Sequence, residues 1–124
     1  MKIVNVETST TLADRAELAS GLIQRAVGLL GRKHLEQGEG LIIRPCNSVH
    51  TFFMRFPIDV IFLDKQGRAI KLLPDLAPFR LSPIVFGSSL VIELPAGTIE
   101  RSGTKAQDRL ALVAHQPVES GGIS

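Results

Sequence analysis

The chain is punctuated by Pro and Gly into short β-prone runs that follow one another with few long intervals. "GLIIRPC" stops at Pro45, "VHTFFMRF" is closed by Pro57, and "IDVIFLD" and "RAIKLL" flank Asp64-Lys65-Gln66-Gly67. "SLVIELP" and "RLALVA" complete the series. Branched and aromatic residues bounded by turn formers read as strands, and Asp64 to Gly67 reads as a hairpin loop with Gly67 placed for positive φ. Strands joined by short turns, without alternating helices, predict a mostly antiparallel sheet, closed or sandwiched. The expected fold is mostly β (α+β): a compact antiparallel β-sandwich or barrel of six to seven strands, one packed helix near 20–31 and a short helical turn near 96–102.

The helix rests on spacing. Ser20 is an N-cap type, and Leu22, Ile23, Ala26, Leu29 and Leu30 recur on one helical face before Gly31. "PAGTIERSG" opens on Pro95 and ends on Gly103, which fits one or two helical turns. "TTLADRAELA" is ambiguous: its composition favours helix, yet Leu12, Asp14, Ala16 and Leu18 also keep period two. Residues 1–117 are expected to form a single globular domain and 118–124 a loose C-terminal tail.

Composition narrows the function classes. The 124 residues are 44% hydrophobic and 21% charged, as in a globular domain. The net charge is +2 with both signs interspersed, and the aromatics are six Phe without Trp or Tyr. Neither a basic stripe nor a rich stacking surface is present, so a nucleic-acid partner is not expected. The longest clean apolar runs fall far short of the roughly 20 residues that span a bilayer, and "MKIVNVETSTT" lacks a signal-type apolar run. One cysteine cannot form an internal disulfide. These features predict a cytoplasmic protein without a membrane partner. Dinucleotide, phosphate-loop, nucleophile-elbow and zincin motifs are absent, and no cofactor is expected.

"CNSVHTFFMRFPIDVIFLD" (46–64) is the densest stretch in candidate chemistry. Cys46, His50 and Met54 sit four apart, as metal ligands could. On a strand, however, Cys46 and His50 lie about 13 Å apart, while two zinc ligands must each come within roughly 2.0–2.3 Å of the ion. The strand reading therefore assigns no metal. It also separates Cys46 from His50 as a nucleophilic pair, leaving the cysteine as a small buried hydrophobe. Neither His34 nor His115 is brought to Cys46 by anything in the sequence, while Arg44 could favour a thiolate there.

Asp59 shares a strand face with Ile61 and Leu63, opposite Ile58, Val60 and Phe62. Both faces are apolar, so its carboxylate needs a partner. Arg55 is the nearest candidate. Glu93 in "LVIEL" poses the same problem, with Arg101 or Arg109 as candidates. Structural salt bridges are expected for both acids, although the same groups could line a ligand site or, if their strands are neighbours, act as an unequal carboxylate pair.

Taken in order, "GLLGR", "GEGLII", "HTFFMRFPIDVIFLD", a Gly hairpin, "VIELPAGTIERSG" and "QDRL" resemble the family known as domain of unknown function 192. The similarity runs from about Leu12 to Leu112. Its strongest motif is Met54, Pro57, Asp59 and Asp64 followed by Glu93, Pro95, Gly97 and Arg101. Many members carry Phe-Trp-Met and a longer link to the Pro-x-Asp; here Phe53 replaces the Trp and the link is short. The resemblance implies a compact β-sandwich or barrel with a helix, and it implies that "TTLADRAELA" is a strand. It implies no activity.

The leading functional expectation is a small non-catalytic binding module for an unknown small molecule or protein. Its cleft would lie where 50–59 meets 93–101, lined by His50, Thr51, Met54, Arg55, Asp59, Glu93 and Arg101. Thr51 and Arg55 have one strand parity and His50 and Met54 the other, so a straight strand cannot present all four. Phe52, Phe53 and Phe56 are expected in the core. Two alternatives are a small hydrolase or lyase using Asp59 or Glu93 as acid or base, and a protein that pairs an exposed strand edge with a partner.

Overall fold

The alternation in "IDVIFL" places apolar side chains on both faces of one strand, and that strand lies inside the sheet. The computed structural model describes residues 1–19, 34–52 and 54–115. Among these are seven strands: β1 (Lys2–Asn5), β2 (Thr10–Ala19), β3 (Gly38–Ile43), β4 (Ile58–Leu63), β5 (Ala69–Leu76), β6 (Leu90–Pro95) and β7 (Leu110–Val113). One short helix, α1 (Thr98–Ser102), follows β6. The strands form one sheet in the order β5-β4-β6-β3-β2-β1-β7. The expected mostly β architecture and the helical turn near 96–102 are both present. The expected helix near 20–31, Phe53 and the tail at 118–124 lie outside the described residues.

"TTLADRAELA" is β2, a strand despite its helix-favouring composition. Its small residues Ala13, Ala16 and Ala19 are buried between β1 and β3, so tertiary pairing overrides local propensity. The β2–β3 pair is parallel, the others antiparallel. Parallel neighbours need a crossover of about a dozen residues or more, usually helical, and the amphipathic stretch 20–31 falls in that interval.

Register sorts the core into two faces. Ile42, Ile61, Leu63, Ile92 and Leu94 pack with Ile3, Leu12, Ile99 and Leu110. Leu41, Ile43, Ile58, Val60, Phe62 and Val91 pack on the opposite face with Val49 and Met54. The second face is covered in part by Cys46, Val49, Met54 and Phe56; "VHTFFMRF" (49–56), expected to be a strand, is not one in its described residues. Among its described residues the backbone makes one isolated β-bridge, His50 to Leu81. Thr51 N–H donates to the Arg80 carbonyl and Ser82 N–H to the Val49 carbonyl, so 47–52 and 79–85 form an irregular ribbon. Pro78 and Pro83 supply no donors, and regular pairing cannot extend.

The sheet curls so that its first hairpin meets its last strand. Asp64 Oδ1 accepts from the Gln66 and Arg68 N–H groups, at 2.9 Å each, and Gly67 adopts φ 83°. The Gly67 carbonyl then accepts from Leu110 N–H at 2.8 Å, and Ala69 N–H donates to the Asp108 carbonyl at 2.8 Å. A Cβ on Gly67 would stand 2.9 Å from the Leu110 carbonyl oxygen. Gly67→Ala is therefore expected to cost about 1–3 kcal/mol in urea unfolding, from left-handed backbone strain plus the clash. A loss of a few tenths would show that this contact does not fix the curl.

Candidate functional site

Asp59 and Glu93 stand on neighbouring strands, the condition under which they could act together. Register separates them. Asp59 pairs with Leu94 and Glu93 pairs with Val60. Residues opposite each other share a face and successive residues alternate, so the two carboxyls leave the sheet on opposite sides.

Asp59 is fully buried, and both its oxygens are engaged. Oδ1 accepts from Asp75 N–H and Oδ2 from Ile99 N–H, each at 2.8 Å. Two features of the fold create those donors. The β4–β5 register shifts between Ile58 and Val60, and Asp75 takes φ 53° there, which leaves its amide outside the ladder. Ile99 lies in the first turn of α1, where amides lack intrahelical acceptors. Gly97, the N-cap residue, has no side chain to satisfy them, so Asp59 caps the helix from across the sheet. The expected Arg55–Asp59 ion pair is not formed: among the described residues, ion pairs join only Arg15 to Asp14 and His34 to Glu36.

Glu93 has the opposite environment. It is 4% exposed, in the centre of β6, between Leu41 of β3 and Val60 of β4. Neither Arg101 nor Arg109 pairs with it, and its carboxyl has no hydrogen bond among the described residues. Burial pushes its pKa up from 4.5 to about 7. No described side-chain oxygen or nitrogen is both sealed from solvent and without a hydrogen bond, so the Glu93 oxygens retain a narrow opening.

The other expected site residues are dispersed. Thr51 is buried and structural: its hydroxyl donates to the Ala77 carbonyl at 2.6 Å and accepts from Arg80 N–H at 2.8 Å. Met54 is buried on the Glu93 face. His50 is exposed, stacked on Phe52 with ring centroids 5.3 Å apart. Arg55 is exposed. Arg101 is exposed on α1, where its guanidinium donates to Thr98 Oγ1 at 3.3 Å. A single cleft containing all seven is not assembled. Phe56 joins the core in part, whereas Phe52, expected there, is exposed. Cys46 is half-buried beside the second core cluster, and its thiol donates to the Ser48 carbonyl at 3.0 Å. Among the described residues no three His, Cys, Asp or Glu side chains group as metal ligands.

One buried polar network had no sequence signal. Asn5 Nδ2 donates to Thr104 Oγ1 and Asp108 Oδ2, while its Oδ1 accepts from the Glu7 and Thr8 N–H groups. The Asn5 bond, with a second from Lys105 N–H, holds the Asp108 carboxyl below its ordinary pKa. All its members serve turns, so the network is scaffold.

The described residues form a curled seven-stranded sheet, a small mostly β domain in which one buried acid, Asp59, is spent on the fold and another, Glu93, has no hydrogen bond or ion pair among the described residues. The chain belongs to the domain of unknown function 192 family, described as "Uncharacterized ACR", whose profile matches residues 3–112. It is 34% identical over 101 residues to a UPF0127 protein of Pyrococcus abyssi, an alignment covering 77% of this chain and 83% of that one. A UPF0127 protein of Pyrococcus furiosus is 30% identical over 113 residues, covering 87% and 95%. The fold matches a crystal structure of a protein of unknown function from Novosphingobium aromaticivorans, with TM-score 0.78, 23% identity and coverage of 90% and 82%. It also matches a candidate transcription regulator from Sinorhizobium meliloti, with TM-score 0.73, 24% identity and 89% of each chain covered. Both likenesses speak for the fold alone. The family has no assigned activity.

The two acids predict opposite mutational outcomes. Asp59→Asn replaces one acceptor oxygen with a donor facing a backbone N–H and is expected to cost about 2–3 kcal/mol in chemical denaturation; no loss would mean the α1 and β5 amides find other acceptors. For Glu93 the folded pKa lies above the unfolded value. The folded state therefore holds a proton that the unfolded state releases, and stability is greatest below pH 4.5 and falls until about pH 7. Urea unfolding of wild type and Glu93→Gln should diverge by roughly 3 kcal/mol across that window, with the variant favoured at pH 8. Parallel curves would show that Glu93 is solvated or partnered.

Proposed function

We propose that this protein is a non-catalytic binding module that takes a protein partner on the ribbon formed by 47–52 and 79–85 and the adjoining Phe86. The observation that carries this reading is an exposed apolar surface concentrated there. Phe52, Phe79, Leu81 and Ile84 are all exposed, and Phe86 is 89% exposed. Contiguous exposed apolar surface rimmed by polar groups is a mark of interaction sites.

Two features support its being a built surface. Phe79 adopts φ 61°, a costly conformation for an aromatic residue. Its N–H donates to the Thr51 carbonyl at 2.8 Å, and the Thr51 hydroxyl binds on either side at Ala77 and Arg80. A buried threonine thus holds a strained phenylalanine with its ring half in water. The charged residues of 44–56 and 77–89 are Arg44, Arg55 and Arg80, with His50 beside them and no Asp or Glu. A partner with apolar side chains and acidic flanks suits that surface.

The alternatives have weaker support. With Asp59 engaged at both oxygens and Glu93 on the other face, the two do not form a carboxylate pair, and a hydrolase or lyase would rest on Glu93 alone. Strand pairing with a partner is disfavoured at the sheet edges, because β5 carries Pro74 and a bulge and β7 has only four residues. No described helix is long and apolar enough to cross a membrane. We place the protein in the cytoplasm, since one half-buried cysteine makes no demand for an oxidising compartment.

Anilinonaphthalene sulfonate, an apolar anion, is a direct probe of this surface. The native protein is expected to give saturable fluorescence enhancement, and Phe79→Gly combined with Phe86→Ser should lose most of it with unchanged circular dichroism. Phe79→Gly alone should also raise stability by about 1 kcal/mol by releasing the left-handed strain. Undiminished dye binding by the double variant would contradict the proposal.

A further inference from the structure

Glu93 lies outside the ribbon, and its carboxyl makes no hydrogen bond or ion pair among the described residues. An acid in the middle of a central strand, flanked by Leu41 and Val60, weakens the domain at neutral pH where a leucine would strengthen it. Other buried polar side chains in the sheet and ribbon are spent on backbone groups: Asp59 on two amides, Thr51 on the Ala77–Arg80 bend, Ser82 on Val49 N–H, and Asn5 on the β1 turn. Glu93 alone among these is committed to nothing, and a stability cost without a structural return points to function.

The surroundings restrict what the carboxyl can receive. The second core face presents Leu41, Val60, Val91, Ile43, Met54 and Val49, which offer neither a cation nor a hydrogen-bond donor through their side chains. A metal ion would find one carboxylate among hydrocarbon, with no grouping of three ligands among the described residues. Glu17 shares this face: it pairs with Leu41, which pairs with Glu93, so the two acids lie two strands apart, about 10 Å. The Glu93 carboxylate itself favours a cation. A neutral donor could be met by Gln or Thr without the burial cost, so the choice of a carboxyl argues for a ligand that brings positive charge.

We propose that Glu93 anchors a small ligand composed of an apolar body and a single protonated amine, with the ammonium on the carboxylate. The ammonium supplies the partner that Glu93 lacks among the described residues, and the shell that disfavours a lone carboxylate strengthens the pair once it forms. This site is independent of the ribbon and stands whether or not a protein docks there.

Amide-detected NMR titrations with benzylammonium and hexylammonium, against benzyl alcohol and hexanoate, test this at pH 8. The ammonium probes are expected to give saturable shifts at Leu41, Val60 and Glu93, with benzyl alcohol at least about tenfold weaker and hexanoate without effect. Glu93→Gln, which is expected to fold at least as well, should bind benzylammonium and benzyl alcohol within about twofold of each other. Three results would each overturn the proposal: no saturable shifts at those residues, alcohol binding equal to ammonium in the wild type, or a variant that keeps the ammonium preference. The unchanged remainder of the variant's spectrum reports that it is folded.

Discussion

A single carboxylate, that of Asp59, joins three parts of the fold that have no covalent reason to meet. It leaves β4, accepts from the bulged residue of β5 and caps the first turn of α1. Each of those amides is an orphan created by a local irregularity, and leaving either unmatched in a dry interior would cost on the order of 1–3 kcal/mol. The bulge, the helix and the central strand are therefore one cooperative unit. Thr51 does the same for the ribbon, and Asp64 for the hairpin that closes against β7. The described bends are settled by side-chain oxygens aimed at backbone amides, and the two ion pairs among the described residues lie at the surface.

Against that background Glu93 is the exception. It is displaced from Asp59 by one strand and one register step, and that step turns it to the other side of the sheet. A one-residue slip exchanges faces in any strand; here it separates an acid that is part of the scaffold from one that is not. The neighbouring Leu, Ile and Val side chains each contribute roughly 1.5–3 kcal/mol by burial, so the surrounding core can carry a penalty of similar size at one position. The ribbon shows the same economy at Phe79, where strain is tolerated to keep an aromatic ring outside.

Much of this was legible from the residues. Pro and Gly punctuation marked the strands, Asp64 and Gly67 marked the hairpin, and the alternation in "IDVIFL" placed Asp59 correctly with Ile61 and Leu63. Family resemblance corrected β2, where Ala-rich composition argues for helix. Three things were hidden. The stretch "VHTFFMRF" has every local sign of a strand, but its neighbour carries Pro78 and Pro83, and Thr51 turns its side chain into the ladder. Charge pairing suggested arginines for Asp59, whereas its partners are amides of Asp75 and Ile99, which any residue could supply. The parallel contact of β2 with β3 is likewise a nonlocal outcome that no short window encodes. Proximity in sequence puts His50, Thr51, Met54 and Asp59 together, whereas in the fold His50 is exposed, Thr51 serves the ribbon, and Met54 and Asp59 lie on opposite faces of the sheet.

The distinction between the two acids is the centre of this account, and carbon-detected NMR titration of the Glu93 side-chain carboxyl tests it most directly. A midpoint near 7 is expected for a buried group without a partner among the described residues. A midpoint at the ordinary glutamate value near 4.5 would contradict it, since the carboxyl would then be solvated or matched by a donor, and Glu93 would belong to the scaffold with Asp59.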